Sequence, residues 1–128
     1  KPNKFELCKY FGLAEDVSDV ELVSHAKKLL YKNIETVVIS LGSKGAIFIT
    51  NEETAYVPGL DIIAHSAVGA GDSMVGALAY GISEGLELIP LIKLAVATSA
   101  GAVMTKGTKA PNRSVVEMLM KEVKIDFR

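Results

Sequence analysis

The stretch SAVGAGDSMVGALAYGI, residues 66–82, places a glycine-rich turn directly before small and apolar residues at helical spacing. Upstream of it, the β-branched run TVVIS at residues 36–40 is typical of a buried parallel strand. Further helical patterns lie on both sides of these two segments. Helices before and after short buried strands indicate an α/β layered fold.

Outward from this stretch, apolar periodicity and helix-end signals predict five helices and up to four extended segments. The first predicted helix starts with the signals at Pro2–Glu6 and ends at Gly12. The other four are predicted over Ser18–Asn33, Met74–Ile82, around Leu88–Met104, and from Ser114 to about Val123. The predicted strands are Thr36–Ser40, Ala46–Thr50 and Thr54–Val57, with an antiparallel hairpin over 46–57 and a fourth extended segment through Ile62 and Ile63.

The composition is that of an ordinary globular domain with a single core. The chain has 128 residues, a net charge of -1, 49% hydrophobic and 23% charged residues. Its 14 Lys and Arg are matched by 15 Asp and Glu, which argues against a nucleic-acid binder. The most apolar stretch, residues 86–104, is broken by Glu87, Pro90 and Lys93, so no membrane span is expected. With one cysteine and no secretory signal, a cytoplasmic protein is expected.

The turn over residues 69–72 has the properties of an anion site. Backbone N–H groups at a helix N-terminus are unpaired, and the helix dipole adds positive charge there. Without bulky side chains, an anion can approach those groups closely. Asp72, in the first turn, is well placed as a base that takes a proton from an attacking hydroxyl. Local features equally support the alternative of a capped helix start with glycine for tight packing.

Two further segments have a functional and a structural interpretation. The segment SLGSKG, residues 40–45, directly follows a predicted strand. A turn at this place either passes beneath the phosphates or ribose of a nucleotide or simply connects two strands of a hairpin, and local features favour the hairpin. Its spacing is not that of a Walker A loop. Asn3 and Glu6 carry the hard oxygens that suit hydrated Mg²⁺, but Asn-x-x-Glu is also typical of a capping box. The same device recurs at Ser18/Glu21 and Ser114/Glu117.

In their order along the chain, four segments resemble motifs of the PfkB (ribokinase-like) family of carbohydrate kinases. They are KPNKFE (1–6), ISLGSKGA (39–46), VGAGDSMVGAL (68–78) and AVATSAGAVMTKGT (95–108). The sequences of these motifs are most similar to those of the phosphosugar branch, which includes 1-phosphofructokinase and tagatose-6-phosphate kinase. The resemblance implies a ribokinase-like three-layer α/β/α sandwich, with a mostly parallel sheet and an appended antiparallel hairpin. It also implies that residues 1–128 are the C-terminal nucleotide-binding and catalytic part, and that the N-terminal sugar-binding half and lid are absent from this chain.

The resemblance implies a role for each matching residue. Asp72 is the expected base, and the backbone amides of Gly69, Ala70, Gly71 and Asp72 form the expected anion hole. The expected nucleotide contacts are Lys1, Asn3, Ser40, Leu41, Gly42, Gly45, Thr105 and Gly107. Asn3 and Glu6 are the expected Mg²⁺ residues, through water. Ser66 stands where relatives with a monovalent cation often have Asp, so no potassium site is transferred.

The activity implied is ATP-dependent phosphoryl transfer to a hydroxyl of a sugar phosphate of the fructose-1-phosphate, tagatose-6-phosphate or fructose-6-phosphate class. ATP and Mg²⁺ are the expected cofactors. The oligomeric state stays open, with a homodimer of the intact protein among the alternatives because many relatives dimerise through the lid. The residues 1–128 alone are expected to be inactive. Two alternatives stay open: a non-catalytic nucleotide-binding module, and a ribose or nucleoside kinase of the same fold.

Overall fold

The computed structural model describes residues 1–128, except for the side chain of Lys32. The elements are α1 (Lys4–Phe11), α2 (Asp19–Lys27), β1 (Val37–Ser40), β2 (Gly45–Ile49), β3 (Thr54–Pro58), α3 (Ala70–Ser83), α4 (Leu88–Met104), α5 (Arg113–Met120) and β4 (Asp126–Phe127). Short 3₁₀ turns lie at Leu30–Lys32 and Gly42–Lys44. The chain forms two compact units, where composition had predicted one core: Lys1–Pro58 with Ile125–Arg128, and Gly59–Lys124.

The first unit is built on an antiparallel sheet with the strand order β1-β2-β3-β4. The prediction that residues 36–40 form a parallel strand was wrong for the pairing with β2, which is antiparallel. The 3-residue turn Gly42–Lys44 explains this, because it reverses the chain, whereas a parallel crossover needs about a dozen residues or more. A parallel bridge does join Asn3 to Ser40 on the other edge of β1. The mostly parallel sheet implied by the resemblance stays a prediction.

Helices α1 and α2 pack on one face of this sheet. Leu7 and Cys8 of α1, with Leu22 of α2, form a buried cluster with Ile47 and Ile49 of β2. Local signals set the ends of these helices as predicted: Asn3 caps the start of α1, and Gly12 ends it with a left-handed backbone at φ 67°. Ser18 likewise caps α2. The helix predicted to reach Asn33 ends instead at Lys27, and a separate 3₁₀ turn over Leu30–Lys32 precedes Asn33.

The second unit contains α3, α4 and α5. Helix α4 has the predicted bounds, and α3 begins at Ala70, four residues before the predicted start. The extended segment predicted through Ile62 and Ile63 is not a strand in the described residues. Ile63 is 82% exposed, so burial gives it no reason to pair. Helix α5 begins at Arg113, because Asn112 rather than Ser114 provides the cap.

The fourth strand is β4, which the sequence patterns missed. It pairs antiparallel with β3 through Ala55↔Phe127 and Tyr56↔Asp126. A strand of 2 residues carries no periodicity of its own, so its pairing depends on a distant partner. Within the part of the chain described here, no helix has both the length and the apolar character to cross a membrane.

Candidate active site

Gly69 sets the geometry of the glycine-rich turn. It is the N-cap of α3 and has φ 85° and ψ -6°, a left-handed conformation that residues with a side chain rarely adopt. A Cβ on Gly69 would meet no atom within 4 Å, so the backbone conformation and not space favours glycine here. The helical hydrogen-bond ladder begins when Ser73 N–H donates to the Gly69 carbonyl, 2.9 Å away.

The N–H groups of Gly71 and Asp72 lie in the turn before that first helical bond. Groups in this position have no acceptor within the helix. Gly71 and Asp72 are both exposed, so an anion can reach them. The helix dipole adds partial positive charge at the same end of α3. The turn therefore has the donors and the field that an anion site requires, and the anion site itself stays a prediction.

Asp72 has an exposed carboxylate in the first turn of α3. Among the residues that the structure describes, this carboxylate forms no hydrogen bond or ion pair. It is therefore available to accept a proton from a hydroxyl group. A structural role for Asp72 is limited to its favourable position at the positive end of the helix dipole, worth roughly 0.3–1 kcal/mol.

In the first unit, four of the predicted nucleotide residues line an open depression of about 300 Å³, whereas Lys1 and Gly45 are not among its lining residues. Its lining residues are Asn3, Lys4, Phe5, Ser40, Leu41, Gly42 and Lys44. The side chain of Lys1 also reaches this region, because its Nζ donates to Ser40 Oγ at 2.9 Å. The structure thus brings together two segments that lie 39 residues apart in sequence at Lys1 and Ser40. Gly45 closes the hairpin turn by donating its N–H to the Gly42 carbonyl.

Three lining residues, Lys4, Phe5 and Lys44, were missed from sequence. Lys4 Nζ is committed to the Val17 carbonyl at 2.9 Å, and Phe5 is 57% exposed. Lys44 lies in the turn between β1 and β2, and its side chain is exposed. The signal that could have identified Lys44 was its place inside the glycine turn, where a cation would meet a phosphate.

Asn3 and Glu6 form the capping box that the structural interpretation predicted. Glu6 N–H donates to Asn3 Oδ1, and Asn3 N–H donates to Glu6 Oε2, each at 2.8 Å. Within the described part of the chain, no group of three or more His, Cys, Asp or Glu residues is placed to hold a metal ion. The donor set therefore fits only an ion that keeps most of its water and binds substrate phosphates, which is the behaviour of Mg²⁺.

Thr105 and Gly107 lie in the loop after α4, in the second unit. The Thr105 hydroxyl is 2.8 Å from the Ala102 carbonyl and 3.0 Å from the Lys109 carbonyl, so it closes its own loop. Gly107 is exposed and has φ 73°. The hydroxyl of Thr105 is thus engaged by backbone, which leaves the loop backbone as the part of this segment available to a nucleotide.

Comparison with known proteins gives a match to the model of the pfkB family carbohydrate kinases over residues 1–114. The chain is 38% identical over 105 residues to ATP-dependent 6-phosphofructokinase isozyme 2 of Mycobacterium tuberculosis, covering 81% of the chain and 31% of that protein. It is 35% identical over 126 residues to 1-phosphofructokinase of Haemophilus influenzae, covering 98% of the chain and 40% of that protein.

A solved structure shows the same fold. Phosphofructokinase-2 of Escherichia coli in complex with potassium superposes with a TM-score of 0.86 and 26% identity, over 94% of the chain and 39% of that structure. In each of these comparisons the chain spans 40% or less of the relative's own length.

Proposed function

Because the chain belongs to the pfkB family of carbohydrate kinases, we propose that it provides the nucleotide-binding and phosphoryl-transfer residues of an ATP-dependent sugar-phosphate kinase. The observation that carries this proposal is the exposed first turn of α3. It combines N–H groups without helical acceptors and a carboxylate, that of Asp72, without a partner among the described residues. In the full-length protein we propose the three-layer α/β/α sandwich of ribokinase-like enzymes, which the TM-score of 0.86 supports.

Each proposed group has a defined task in the reaction. The Asp72 carboxylate accepts the proton of a sugar hydroxyl, and that oxygen forms a bond to the γ-phosphorus of ATP. The bond from the γ-phosphorus to the β,γ-bridging oxygen breaks, and ADP leaves with the electron pair. The N–H groups of Gly69, Gly71 and Asp72 donate to the negative oxygens of the transferred phosphoryl group, and that of Ala70, which donates to the Ala67 carbonyl at 3.4 Å, joins them by leaving that carbonyl. Such fixed donors stabilise charge that grows in the transition state, and removing one typically costs roughly 100- to 1,000-fold in rate.

The depression in the first unit is the proposed site for part of the nucleotide. The Lys1 ammonium, held at Ser40, and the exposed Lys44 supply positive charge beside the lining backbone of Leu41 and Gly42. Asn3 and Glu6 are proposed to meet a hydrated Mg²⁺ through water, while their capping bonds stay in place. When bound, Mg²⁺ neutralises charge on the phosphates.

The proposed acceptor is a sugar phosphate of the fructose 1-phosphate, tagatose 6-phosphate or fructose 6-phosphate class. Two relatives named as phosphofructokinases, 38% and 35% identical to this chain, support this choice. Turnover of the full-length protein with a panel of phosphorylated and unphosphorylated sugars and nucleosides tests it. Activity with ribose or a nucleoside alone would replace this substrate class and keep the kinase chemistry.

Replacement of the proposed base tests the kinase proposal. In the full-length protein, Asp72→Asn should lower kcat by at least about 1,000-fold, because the amide cannot accept the hydroxyl proton. Calorimetry should show MgATP binding within a few fold of the unmodified protein.

The matched control is Asp19→Asn. Asp19 is also an acidic residue in the first turn of a helix, α2, so the substitution changes charge and helix-dipole interaction in the same way. Asp19→Asn should leave kcat unchanged. Near-normal turnover by Asp72→Asn would sink the assignment of the base.

A further inference from the structure

Two groups on successive turns of α4 bind the glycine turn and the segment directly before it. The Ser99 hydroxyl donates to the Ala70 carbonyl at 3.1 Å. One turn further along, the Val103 carbonyl accepts the N–H of His65 at 2.7 Å and that of Ser66 at 3.2 Å. Ser99 and Val103 are about one helical turn apart, so one stretch of α4 holds residues 65–66 before the glycine turn and residue 70 within it.

The other side of this part of α4 is closed by the loop before α5. A Cβ on Gly101 would lie 2.7 Å from the Cβ of Pro111, a distance that real contacts do not reach. The helix backbone therefore approaches that loop as closely as packing allows. With contacts on both sides, the turn of α4 that carries Ser99 is a fixed support for the glycine turn.

The bond from Ser99 acts on the proposed anion hole through one peptide group. The Ala70 carbonyl and the Gly71 N–H belong to the same planar trans peptide, so they point in opposite directions and rotate together. Fixing the carbonyl therefore aims the Gly71 N–H. A hydrogen bond accepted by the carbonyl also polarises the peptide and makes its N–H a better donor. Because a carbonyl oxygen has two lone pairs, Ala70 can still accept a helical bond.

We propose that Ser99 is a positioning residue for phosphoryl transfer, whose hydroxyl aims the Gly71 amide at the transferred phosphoryl group. This inference rests on the proposed function of the glycine turn. Small misplacements of oriented donors lower the rate of a reaction more than they lower ground-state binding. Loss of the Ser99 bond should therefore appear in kcat and not in KM.

The test is the pair Ser99→Ala and Ser99→Thr in the full-length protein with MgATP and the sugar phosphate that it turns over. Ser99→Ala should lower kcat about tenfold, the effect of one hydrogen bond, with both KM values within about twofold. Ser99→Thr, which keeps a hydroxyl, should restore most of the rate. An unchanged kcat in Ser99→Ala, or an equal loss in both variants, would overturn the proposal.

Ser83→Ala is the matched control. Ser83 Oγ donates to the Tyr80 carbonyl at 2.8 Å, so it also bonds to a carbonyl of α3, but at the opposite end of that helix. It should leave kcat unchanged, and a tenfold fall would show that any loosening of α3 has the same effect and would overturn the specific role of Ser99. If Ser99→Ala does not fold, Ser99→Cys, with a weak S–H donor, takes its place with the same expected loss.

Amide hydrogen exchange separates this inference from the proposed function. The Ser73 N–H, bonded to the Gly69 carbonyl, should exchange about tenfold faster in Ser99→Ala and at an unchanged rate in Ser83→Ala. An unchanged exchange rate of the Ser73 N–H in Ser99→Ala would overturn the proposal that Ser99 holds the glycine turn, whatever the kcat of that variant. Absence of sugar phosphorylation by the unmodified protein would instead overturn the proposed function, while the exchange rates would still decide whether Ser99 holds the turn.

Discussion

Gly69 and Asp72 occupy the same turn for different physical reasons. Gly69 is required by the backbone, because φ 85° is strained for any residue with a side chain. Asp72 is not required by the fold, since its exposed carboxylate has no partner among the described residues. A residue that the fold does not need, placed beside backbone N–H groups without helical acceptors, is what the proposed catalytic role would produce.

Thr54 in β3 presents the opposite case, a polar group that the fold buries without a partner. The residue is 4% exposed, and its Oγ1 has no hydrogen-bond partner among the described residues. Thr54→Val keeps the β-branched shape and removes the buried hydroxyl, so it should raise the free energy of unfolding by about 1 kcal/mol, measured by urea denaturation.

Thr50→Val provides the comparison. The Thr50 hydroxyl accepts the N–H of Glu53 at 3.0 Å and that of Glu52 at 3.3 Å, so its removal should lower the free energy of unfolding by about 1 kcal/mol. A loss of stability in Thr54→Val as large as that in Thr50→Val would show that the Thr54 hydroxyl does have a partner in solution.

At the scale of an element, α1 shows one motif with two compatible interpretations. Asn3 caps the helix through its side chain and also lines the depression proposed to bind the nucleotide. Glu6 completes the capping box with one carboxylate oxygen, Oε2. The cap therefore fixes the position of both side chains, whether or not phosphate and Mg²⁺ bind there.

Substitutions at Asn3 separate these two roles. Asn3→Ala removes the cap of α1 and should lower the free energy of unfolding by about 1 kcal/mol, whereas Asn3→Asp keeps a good cap and should cost much less. Asn3→Asp places a second carboxylate beside Glu6 and the nucleotide phosphates, so MgATP affinity measured by calorimetry should fall. Equal destabilisation by both variants would contradict the capping assignment.

At the scale of the whole molecule, the stability of the first unit depends on the buried side chains of β2, the strand between β1 and β3. Ile47 is completely buried in the cluster formed with α1 and α2. Ile47→Ala should lower the free energy of unfolding by about 2–5 kcal/mol, because it removes buried methylene groups and leaves a cavity.

The matched control for that prediction is Ile63→Ala. Ile63 is 82% exposed, so the same change should alter the free energy of unfolding by no more than about 0.5 kcal/mol. Chemical denaturation of the full-length protein measures both. Similar small effects at the two positions would contradict the assignment of Ile47 to the core.

Features encoded by neighbouring residues could be predicted from the sequence. The caps at Asn3 and Ser18 and the glycine end of α1 follow from residues within a few positions of each helix end, and the bounds of α4 follow from its run of apolar residues. The glycine turn and its family resemblance are local as well, and the family match confirms the resemblance. Only short-range sterics and hydrogen bonds are needed to produce these features.

Features that join residues distant in sequence could be identified only from the tertiary structure. The pairing of β4 with β3 and the meeting of Lys1 with Ser40 have no local pattern that predicts them, whereas the hairpin turn between β1 and β2 does have one. The bond from Ser99 to Ala70 spans 29 residues. Such contacts form because many apolar side chains are buried together, so the partner of any one polar group is fixed by the packing of whole elements and not by its neighbours in sequence.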